Sequence, residues 1–403
     1  MKQFTIPVSY RSKLIAAIKL QRRTGDKMKK DFTPTFFDLG NLHIYLARHF
    51  GFCYGVENAI EIAFETISKN PGKRIFLLSE MIHNPLVNAD LMSHGVKFLQ
   101  DTTGKQLISF ESLQSDDIVL IPAFGTTLAI EEKLRSRGIS MEKYNTTCPF
   151  VERVWNKSEQ IARQGYTVVV HGKPTHEETR ATFSHAAKHT ATVVVNDMSE
   201  AIVLGEFITG VRPVETFHEV FAGRFTDGFD PIKDLQRIGV VNQTTMLATD
   251  TQQIADYLRQ VMTEHYALPP ARINERFADT RDTLCYATTD NQSSVKGMLE
   301  TPANLAIVVG GYNSSNTSHL VELCEEKLPT YFIRDESNLL STQKVKHWDM
   351  HEKVEKETLN FLGNNTPIKI LVTSGASCPD AVVEKVILRL AEICGTTLED
   401  IPE

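Results

Sequence analysis

The segment LAIVVGGYNSSNTSHLVELCEEKL, residues 305–328, contains the unit from which the fold of the whole chain is predicted. Its first five residues are apolar and largely β-branched, which is typical of a buried strand, and a helical pattern follows at 318–327. A buried strand followed by a helix is the building block of parallel α/β layers. Because ligands in such layers collect beyond the carboxyl ends of the strands, the intervening loop 310–316 is a candidate binding site.

The same order of strand and helix recurs along most of the chain. Other strands are predicted at Arg74–Leu78, Asp117–Ile121, Thr167–Val170, Thr192–Val195, Ile238–Val241, Tyr331–Ile333 and Ile368–Val372. Other helices are predicted at Val56–Thr66, Pro85–Ser93, Leu128–Arg137, Val151–Gln164, Thr251–Thr263 and Asp380–Ile393. Two stretches fit neither pattern: Gly205–Lys233 is interpreted as an insertion or surface loop, and Ser341–Glu357 as a solvated linker or helix face. The repeated pattern predicts an α/β protein with mostly parallel sheets.

Length and composition limit the class of protein. A chain of 403 residues with 41% apolar and 23% charged side chains predicts two or three globular domains and excludes disordered, collagenous and coiled-coil proteins. No apolar run approaches the roughly 18 to 20 residues needed to cross a bilayer, so no membrane partner is expected. The net charge of −7 argues against a nucleic-acid partner.

Residues 1–30 depart from this average, because they carry nine basic side chains and one acidic side chain, Asp26. The segment lacks the continuous apolar region of a secretory signal, and it has fewer serines than a transit peptide usually has. We therefore expect a basic N-terminal arm on a cytoplasmic protein, with the plastid stroma as the alternative location.

Six loops that follow predicted strands are rich in hydroxyl, amide and imidazole groups. They are 79–84, 124–127, 171–178, 242–245, 310–316 and 373–377. Any one of them could simply cap a helix, since Ser, Thr and Asn are preferred at helix N-termini. Six in one chain instead indicate a pocket lined with donors for an anion, with phosphate as the leading candidate. The chain has neither a Walker A motif nor GxGxxG, so a nucleotide is not indicated.

Three of the six cysteines share a position in this pattern. Cys53, Cys148 and Cys285 each precede a predicted helix or its polar cap. A helix N-terminus lowers the pKa of a thiol, which favours the thiolate and hence metal ligation. The chain contains no CxxC, so the ligands of any metal centre must converge from distant positions. Three thiolates on a four-iron cluster would leave one iron open to act as a Lewis acid.

The other three cysteines have different surroundings in the sequence. Cys324 lies in an apolar helical pattern and Cys394 at a helix end, so both are predicted to be packing thiols. Cys378 stands in Ser-Cys-Pro, which resembles the Thr-Cys-Pro around Cys148, and spacing alone leaves it open as a fourth ligand.

Eight short motifs together resemble one known family. In chain order they are Gly-Phe-Cys-x-Gly-Val at 51–56, His-Asn-Pro at 83–85, Thr-Cys-Pro at 147–149, His-Glu-Glu at 176–178, Gln-Thr-Thr at 243–245, Asp-Thr-Leu-Cys-Tyr-Ala-Thr-Thr at 282–289, Asn-Ser-Ser-Asn at 313–316 and Gly-Ala-Ser at 375–377. This set resembles the LytB/IspH family, the 4-hydroxy-3-methylbut-2-enyl diphosphate reductases of the non-mevalonate (MEP) isoprenoid pathway. The likeness runs from about residue 48 to the C-terminus and is greater to the longer plant and cyanobacterial type.

The resemblance implies a trefoil of three α/β units around a central iron–sulfur cluster. It divides the chain into an N-terminal extension at 1–47 and units at 48–147, 148–281 (with the insertion near 205–233) and 282–403. It also implies a [4Fe-4S] cluster held by the thiolates of Cys53, Cys148 and Cys285, with one open iron.

The activity that the resemblance implies is that of an oxidoreductase. The C4 hydroxyl of (E)-4-hydroxy-3-methylbut-2-enyl diphosphate would be removed with two electrons and two protons, giving isopentenyl diphosphate and dimethylallyl diphosphate. The implied partners are this allylic diphosphate and an external one-electron donor such as ferredoxin or flavodoxin.

Site residues are implied motif by motif. The diphosphate ligands would be His83, His176, Ser314, Ser315, Asn316 and Ser377. Glu178 would supply a proton, with Thr244 beside it, because a carboxyl in a dry pocket beside a diphosphate should have a raised pKa. Many members have an imidazole where this chain has Phe124, so Thr126 or Thr127 is expected to compensate. The family generally has no cysteine at 378, which favours a bystander there.

Two other classes of protein would use a similar cysteine pattern. A cluster-dependent hydratase or dehydratase also needs three thiolates and an open iron, but it needs no external electrons. A non-enzymatic cluster sensor would need a surface for DNA or a protein, and the charge of −7 gives no sign of one for DNA. The sequence leaves open the electron donor, the oligomeric state, the product ratio and the role of residues 1–47.

Overall fold

The computed structural model describes residues 4–278, 280 and 283–396. The strands are β1 Thr35–Asp38, β2 Leu42–Leu46, β3 Ile75–Leu77, β4 Lys97–Phe98, β5 Ile118–Leu120, β6 Thr167–His171, β7 Thr192–Val195, β8 Ile238–Asn242, β9 Leu305–Val309, β10 Thr330–Ile333, β11 Leu339–Ser341, β12 Lys344–Asp349, β13 Val354–Leu359 and β14 Ile368–Ser374. The helices are α1 Lys13–Gly25, α2 Tyr54–Lys69, α3 Pro85–Ser93, α4 Leu128–Ser136, α5 Pro149–Arg163, α6 Glu177–Ala187, α7 Met198–Thr209, α8 Phe217–Val220, α9 Pro231–Asp234, α10 Ala248–His265, α11 Tyr286–Met298, α12 Ser315–Glu325 and α13 Asp380–Ile393.

The strands and helices predicted from the sequence are all present. The strands β7 and β9 and the helices α3 and α13 have the predicted bounds, and the others differ by a few residues at their ends. The α/β class and the predominance of parallel pairing are therefore confirmed. The described residues divide into two compact units. The first consists of the described residues in the ranges 1–64, 82–90 and 286–403, and the second of those in the ranges 65–81 and 91–285. The boundaries predicted at residues 47, 147 and 281 stay a prediction.

The first unit is built on an eight-stranded sheet. Its order is β1-β2-β14-β9-β10-β12-β11, with β13 paired to β12. The central strands β2, β14, β9 and β10 are parallel to one another, and the outer pairs are antiparallel. Buried Ile44, Ile307 and Val372 from the central strands form one core with Val383 and Ile387 of α13. Because these parallel strands are neighbours, the loops at their carboxyl ends lie at the same edge.

The segment predicted as an N-terminal extension is, in its described residues, part of this first unit. The helix α1 follows Ser12, whose Oγ accepts a hydrogen bond from the backbone N of Ile15 at 2.9 Å. Ile15 and Ile18 are buried in the sheet core, and Lys19 pairs with Asp380 at the start of α13 at 2.7 Å. Apolar side chains three residues apart form one face of a helix, so α1 can bury them while its basic residues face solvent.

The prediction of a linker or helix face at Ser341–Glu357 is wrong, because most of this stretch forms the antiparallel pair β12 and β13. Opposite charges pair across the two strands, as in Lys346 with Glu355 at 2.7 Å. Val345 points into the core and is fully buried. The many charges hide the alternation of buried and exposed positions that marks a strand.

The second unit contains two three-stranded parallel sheets, in the orders β4-β3-β5 and β7-β6-β8. Every residue of β6, β7 and β8 is buried. Strands buried on both faces have continuous apolar sequences, which explains why the sequence predicts them well. In the described part of the chain no helix is both long and apolar enough to cross a bilayer.

Of the two interpretations of Gly205–Lys233, the surface loop is wrong and the insertion stays a prediction. This stretch contains the end of α7, the helices α8 and α9, and several phenylalanines of the second unit's core. Phe217 and Phe221 are fully buried, and the ring of Phe217 stacks on that of Phe229 at 4.9 Å between centroids. The spacing of 217 and 221 places both rings on one helical face, so the segment packs although its turns are rich in Gly and Asp.

Candidate active site

In the first unit, the loops that follow β9 and β14 meet. The Oγ of Ser377, after β14, donates to the backbone carbonyl of His83 at 3.1 Å and lies 3.5 Å from the Oγ of Ser314, after β9. The backbone N of Cys53 donates to the carbonyl of Ala376 at 3.2 Å. The structure therefore brings together, at one edge of this sheet, the backbone of Cys53 and three of the predicted diphosphate ligands.

Asn316 is the most informative of these residues. Its Oδ1 accepts hydrogen bonds from the backbone N of Ala376 at 2.8 Å and from Nδ2 of Asn291 at 3.4 Å. Its Nδ2 is buried and has no hydrogen-bond partner among the described residues. Buried amide groups are nearly always satisfied, so a donor left in this state is suited to an acceptor that binds from outside. An anion such as phosphate is such an acceptor.

The surroundings of Asn316 are also fixed by close packing. Ser314 precedes α12 and caps it, its Oγ accepting from the backbone N of Thr317 at 3.3 Å, and Ser315 is the buried first residue of that helix. A Cβ on Gly311 would lie 2.4 Å from the carbonyl oxygen of His83. Only glycine allows this approach, and the N-terminus of α12 adds the partial positive charge of a helix dipole.

In the second unit, the loops after the neighbouring strands β6 and β8 place Glu178 against Thr244. The carboxylate of Glu178 accepts hydrogen bonds from the backbone N of Thr244 at 2.5 Å and from its Oγ1 at 3.0 Å. The Glu178 side chain is only 1% exposed, although glutamate is an ionisable residue. Glu178 and Thr244 are therefore in contact, and the two hydrogen bonds hold the carboxyl group in one orientation.

His176 precedes α6 and caps it with its side chain. Its Nδ1 accepts a hydrogen bond from the backbone N of Glu178 at 3.1 Å. An imidazole nitrogen that accepts carries no proton, so in the neutral ring the proton is on Nε2, which is then the donor. This tautomer suits a ligand of a phosphate oxygen.

Phe124 lies against His176 and does not lie in the core. The two rings meet edge to face, with centroids 5.5 Å apart, and Phe124 is only half-buried. The loop around it is held by α6, because the backbone N of Leu128 donates to Oγ of Ser184 at 3.0 Å. The hydroxyl of Thr127 makes no capping bond to α4. Simple helix capping therefore does not account for Thr127.

We expect the Phe124 loop to contribute to diphosphate binding. Thr127→Val removes a hydroxyl that does not cap α4, so it should raise the dissociation constant for the substrate without lowering the melting temperature. A hydrogen bond to a charged group contributes roughly 1.5–3 kcal/mol, so the increase should be about tenfold or more. Thr126→Val should act in the same direction, and Phe124→His should be tolerated or should tighten binding. Titration calorimetry and thermal unfolding check these expectations; two dispensable threonines with an inactive Phe124→His variant would contradict them.

The three cysteines predicted before helices occupy those positions. Cys53 directly precedes α2, Cys148 is the N-cap of α5, and Cys285 directly precedes α11. The backbone N of Cys285 donates to the carbonyl of Thr244 at 3.2 Å, which connects it to the loop that holds Glu178. The local position of each cysteine is thus confirmed.

The expected low thiol pKa is wrong for Cys148. Burial, together with smaller contributions from the negative charges of Cys285 and Glu178, raises the pKa of this thiol to about 11. Desolvation of the thiolate outweighs the helix dipole here. Cys148, Cys285 and Glu178 therefore lie in one negative environment.

That environment fits iron. A metal that binds a thiol displaces its proton, so iron would supply the positive charge that two neighbouring thiolates and a carboxylate require. Among the described residues no group of three or more His, Cys, Asp or Glu side chains is arranged for a single metal ion. The neighbouring donors Cys148 and Cys285 are thiols, which are the usual ligands of iron–sulfur clusters.

The remaining cysteines are enclosed to different degrees. Cys324 and Cys378 are fully buried, and burial raises the pKa of the Cys324 thiol to about 12. Cys378 belongs to the apolar core of the first unit, and burial raises its pKa strongly. Cys394 is half-buried at the end of α13. These surroundings suit packing thiols.

Sequence reasoning missed several side chains that support the site. Gln243 accepts, through Oε1, from the backbone N of Lys173 at 3.1 Å and from Oγ1 of Thr179 at 2.9 Å, which joins the loops after β6 and β8. Ser79 donates a short hydrogen bond to buried Glu177. Gln243 lies in a motif that the sequence singles out, but the partners of Gln243 and Ser79 are 64 to 98 positions away in the chain. No local pattern predicts such contacts.

The fold is that of a parallel α/β protein. Its site has thiols at helix N-termini and donors for an anion at the carboxyl ends of strands, which is the arrangement expected of a cluster-dependent enzyme. A family model described as "LytB protein" matches residues 44–391, which is most of the chain. The chain belongs to the LytB family.

Named relatives cover most of this chain. The 4-hydroxy-3-methylbut-2-enyl diphosphate reductase of Picosynechococcus sp. is 39% identical over 352 residues, which are 87% of this chain and 84% of the relative. The protein of the same name from Gloeobacter violaceus is 38% identical over 359 residues, which are 88% and 84%. Both sources are cyanobacteria, in line with the expected longer type.

Two solved structures are similar to this one. The E-1-hydroxy-2-methyl-but-2-enyl-4-diphosphate reductase of Plasmodium falciparum superposes with a TM-score of 0.61 at 22% identity, over 85% of this chain and 86% of that chain. At this identity the likeness concerns the fold alone. A structure of (E)-4-hydroxy-3-methyl-but-2-enyl diphosphate reductase, described as the terminal enzyme of the non-mevalonate pathway, gives a TM-score of 0.50 at 26% identity, over 87% and 99%.

Proposed function

We propose that this chain is an oxidoreductase that converts (E)-4-hydroxy-3-methylbut-2-enyl diphosphate into isopentenyl diphosphate and dimethylallyl diphosphate, the last step of the non-mevalonate pathway. The observation that carries the proposal is the family match over residues 44–391, which contains every residue assigned to the site. The loop geometry supports it independently, because each unit presents donors for an anion at the carboxyl ends of its parallel strands.

LytB proteins are iron–sulfur enzymes. We assign Cys53, Cys148 and Cys285 as the ligands of one [4Fe-4S] cluster, which leaves one iron without a protein ligand. When bound, the cluster would supply electrons and, at that iron, a Lewis acid for the substrate oxygen. The position of each of these cysteines directly before a helix supports this assignment.

The proposed ligands of the diphosphate are the donors that the family resemblance implies. They are His83, His176, Ser314, Ser315, Asn316 and Ser377, together with Thr126 and Thr127 of the Phe124 loop. The unsatisfied Nδ2 of Asn316 and the Nε2–H tautomer of His176 are the observations that support this set.

Glu178 would donate a proton to the departing hydroxyl. In the overall reaction the C4–O bond breaks, and two electrons and two protons are consumed, one proton forming water and the other entering the product as a C–H bond. Thr244 holds the Glu178 carboxyl through two hydrogen bonds and so directs it. The burial of Glu178 excludes water, which would otherwise compete as the proton donor.

The partners follow from the balance of the reaction. The two electrons must come from an external one-electron donor such as ferredoxin or flavodoxin, and no nucleic-acid or membrane partner is part of the proposal. A cytoplasmic location belongs to the same proposal and is supported by the cyanobacterial sources of the relatives.

Anaerobic purification followed by Mössbauer spectroscopy tests the proposal. We expect the signature of a [4Fe-4S] cluster with one distinct iron, and a change at that iron alone when the hydroxybutenyl diphosphate is added. With a chemical reductant, the protein should form both products, identified by mass spectrometry. Turnover without a reductant would indicate a hydratase or dehydratase instead, and failure to bind the diphosphate would indicate a cluster sensor.

A further inference from the structure

Positive charge is concentrated in the N-terminal thirty residues. Of the 43 basic and 50 acidic side chains of the protein, residues 1–30 hold nine and one, so the other 373 residues carry a net charge of −15. The protein is therefore acidic except for one short basic segment. An electrostatic potential that is positive at one segment and negative elsewhere attracts an acidic protein to that segment and repels it from the remaining surface.

The basic side chains of this segment fall into two groups. Lys19 and Arg22 form ion pairs, with Asp380 at 2.7 Å and Asp31 at 3.1 Å, and these pairs stabilise the position of α1. Arg23, Lys27 and Lys30, at the carboxyl end of α1 and in the turn after it, are exposed and form no ion pair with any described residue. The exposed basic side chains without an ion-pair partner among the described residues are therefore grouped at the end of α1 and in the turn after it.

This turn lies beside two tyrosines that follow proposed cluster ligands in the chain. Lys29 pairs with Asp290 at 2.9 Å, and its Nζ lies 5.2 Å above the ring of Tyr286. The hydroxyl of Tyr286 accepts from the backbone N of Tyr54 at 3.1 Å, and Tyr286 is 38% exposed. Tyr54 follows Cys53 and Tyr286 follows Cys285, so the basic turn is adjacent to the backbone that leads into two of the three ligands.

We propose that the basic surface formed by Arg23, Lys27 and Lys30 is the docking surface for the electron donor, and that this donor is a small acidic ferredoxin. The inference rests on the proposed function, since it gives the required electrons a point of entry. A one-electron carrier must bind and leave twice in each turnover, which favours charge steering over a large apolar interface. The acidic remainder of the protein would keep the carrier from docking elsewhere.

The test is charge reversal in the full-length holoenzyme. The variant R23E/K27E/K30E should raise the KM for a reduced plant-type ferredoxin by about tenfold or more at low ionic strength, because three attractions become repulsions. The neutral variant R23Q/K27Q/K30Q should give an intermediate increase. The difference from the unmodified protein should shrink as salt is added, since a Debye length of about 10 Å at 0.1 M screens exposed charges.

A matched control separates this site from a general effect of net charge. K105E/K188E/K233E makes the same charge change on exposed lysines of the second unit and should leave the KM for ferredoxin unchanged. Reduced methyl viologen needs no protein surface for docking, so turnover with this donor should be equal in all variants. Equal melting temperatures would show that α1 is intact in each.

Direct titration with oxidised ferredoxin distinguishes the two proposals. Suppose that the holoenzyme turns over with methyl viologen, but that R23E/K27E/K30E and R23Q/K27Q/K30Q bind ferredoxin as tightly as the unmodified protein does. The docking surface is then wrong, and the proposed function stands. If the holoenzyme does not reduce the diphosphate but binds ferredoxin, and R23E/K27E/K30E does not bind it, the proposed function is wrong and the docking surface stands.

Discussion

Serine in place of Cys53, Cys148 or Cys285 is expected to remove the cluster and all reductase activity. A thiolate binds iron strongly, whereas a serine hydroxyl is far less acidic and is a harder ligand, so it does not replace it at neutral pH. Each of these cysteines directly precedes a helix and is only partly buried. The fold should therefore survive the substitution. Visible absorption, iron content and far-UV circular dichroism after anaerobic reconstitution measure the two effects separately.

Matched controls come from the other three cysteines. Cys394→Ser at a half-buried position should keep both cluster and activity, as should Cys324→Ser and Cys378→Ser. Because the last two put a hydroxyl into an apolar core, Cys324→Ala and Cys378→Ala should keep both with less loss of stability. A cluster lost in Cys378→Ala, with circular dichroism unchanged, would make Cys378 a fourth ligand, and the proposal of an open iron would then be wrong.

Glu178→Gln is expected to reduce turnover by about 10²-fold or more, the usual effect of losing a general acid. Glutamine keeps an oxygen that accepts from the backbone N of Thr244, so the loop after β8 should stay in place. It cannot deliver a proton, so kcat should fall while the dissociation constant for the substrate stays nearly constant. Single-turnover kinetics and calorimetric binding of the diphosphate separate the two quantities.

Two further variants provide a comparison for the effect of Glu178→Gln on kcat and on substrate binding. His176→Ala removes a donor to the diphosphate, so it should chiefly raise the dissociation constant. Thr244→Val removes one of the two hydrogen bonds that direct Glu178 and should lower kcat by a smaller factor than Glu178→Gln. Normal turnover in Glu178→Gln would show that the proton follows another path.

The strands and helices of the central layers could be predicted from the sequence because their local pattern is strong. Strands such as β7 and β9 are buried on both faces, and their apolar sequences are therefore continuous. The surface-loop interpretation of Gly205–Lys233 and the prediction for Ser341–Glu357 failed where local composition opposed the tertiary contacts. In the first case buried phenylalanines outweigh Gly and Asp turns, and in the second cross-strand ion pairs satisfy the charges.

The sequence by itself determined the α/β class, the family resemblance and the helix N-terminal position of each of three cysteines, because these depend on residue type and short spacing. Only the tertiary structure decided that Asn316 Nδ2 has no hydrogen-bond partner among the described residues, that Glu178 is held by Thr244, and that burial raises the pKa of Cys148. Hydrogen bonding between distant loops and desolvation depend on what surrounds a group in space. Residues far apart in the chain create those surroundings, so no local pattern contains them.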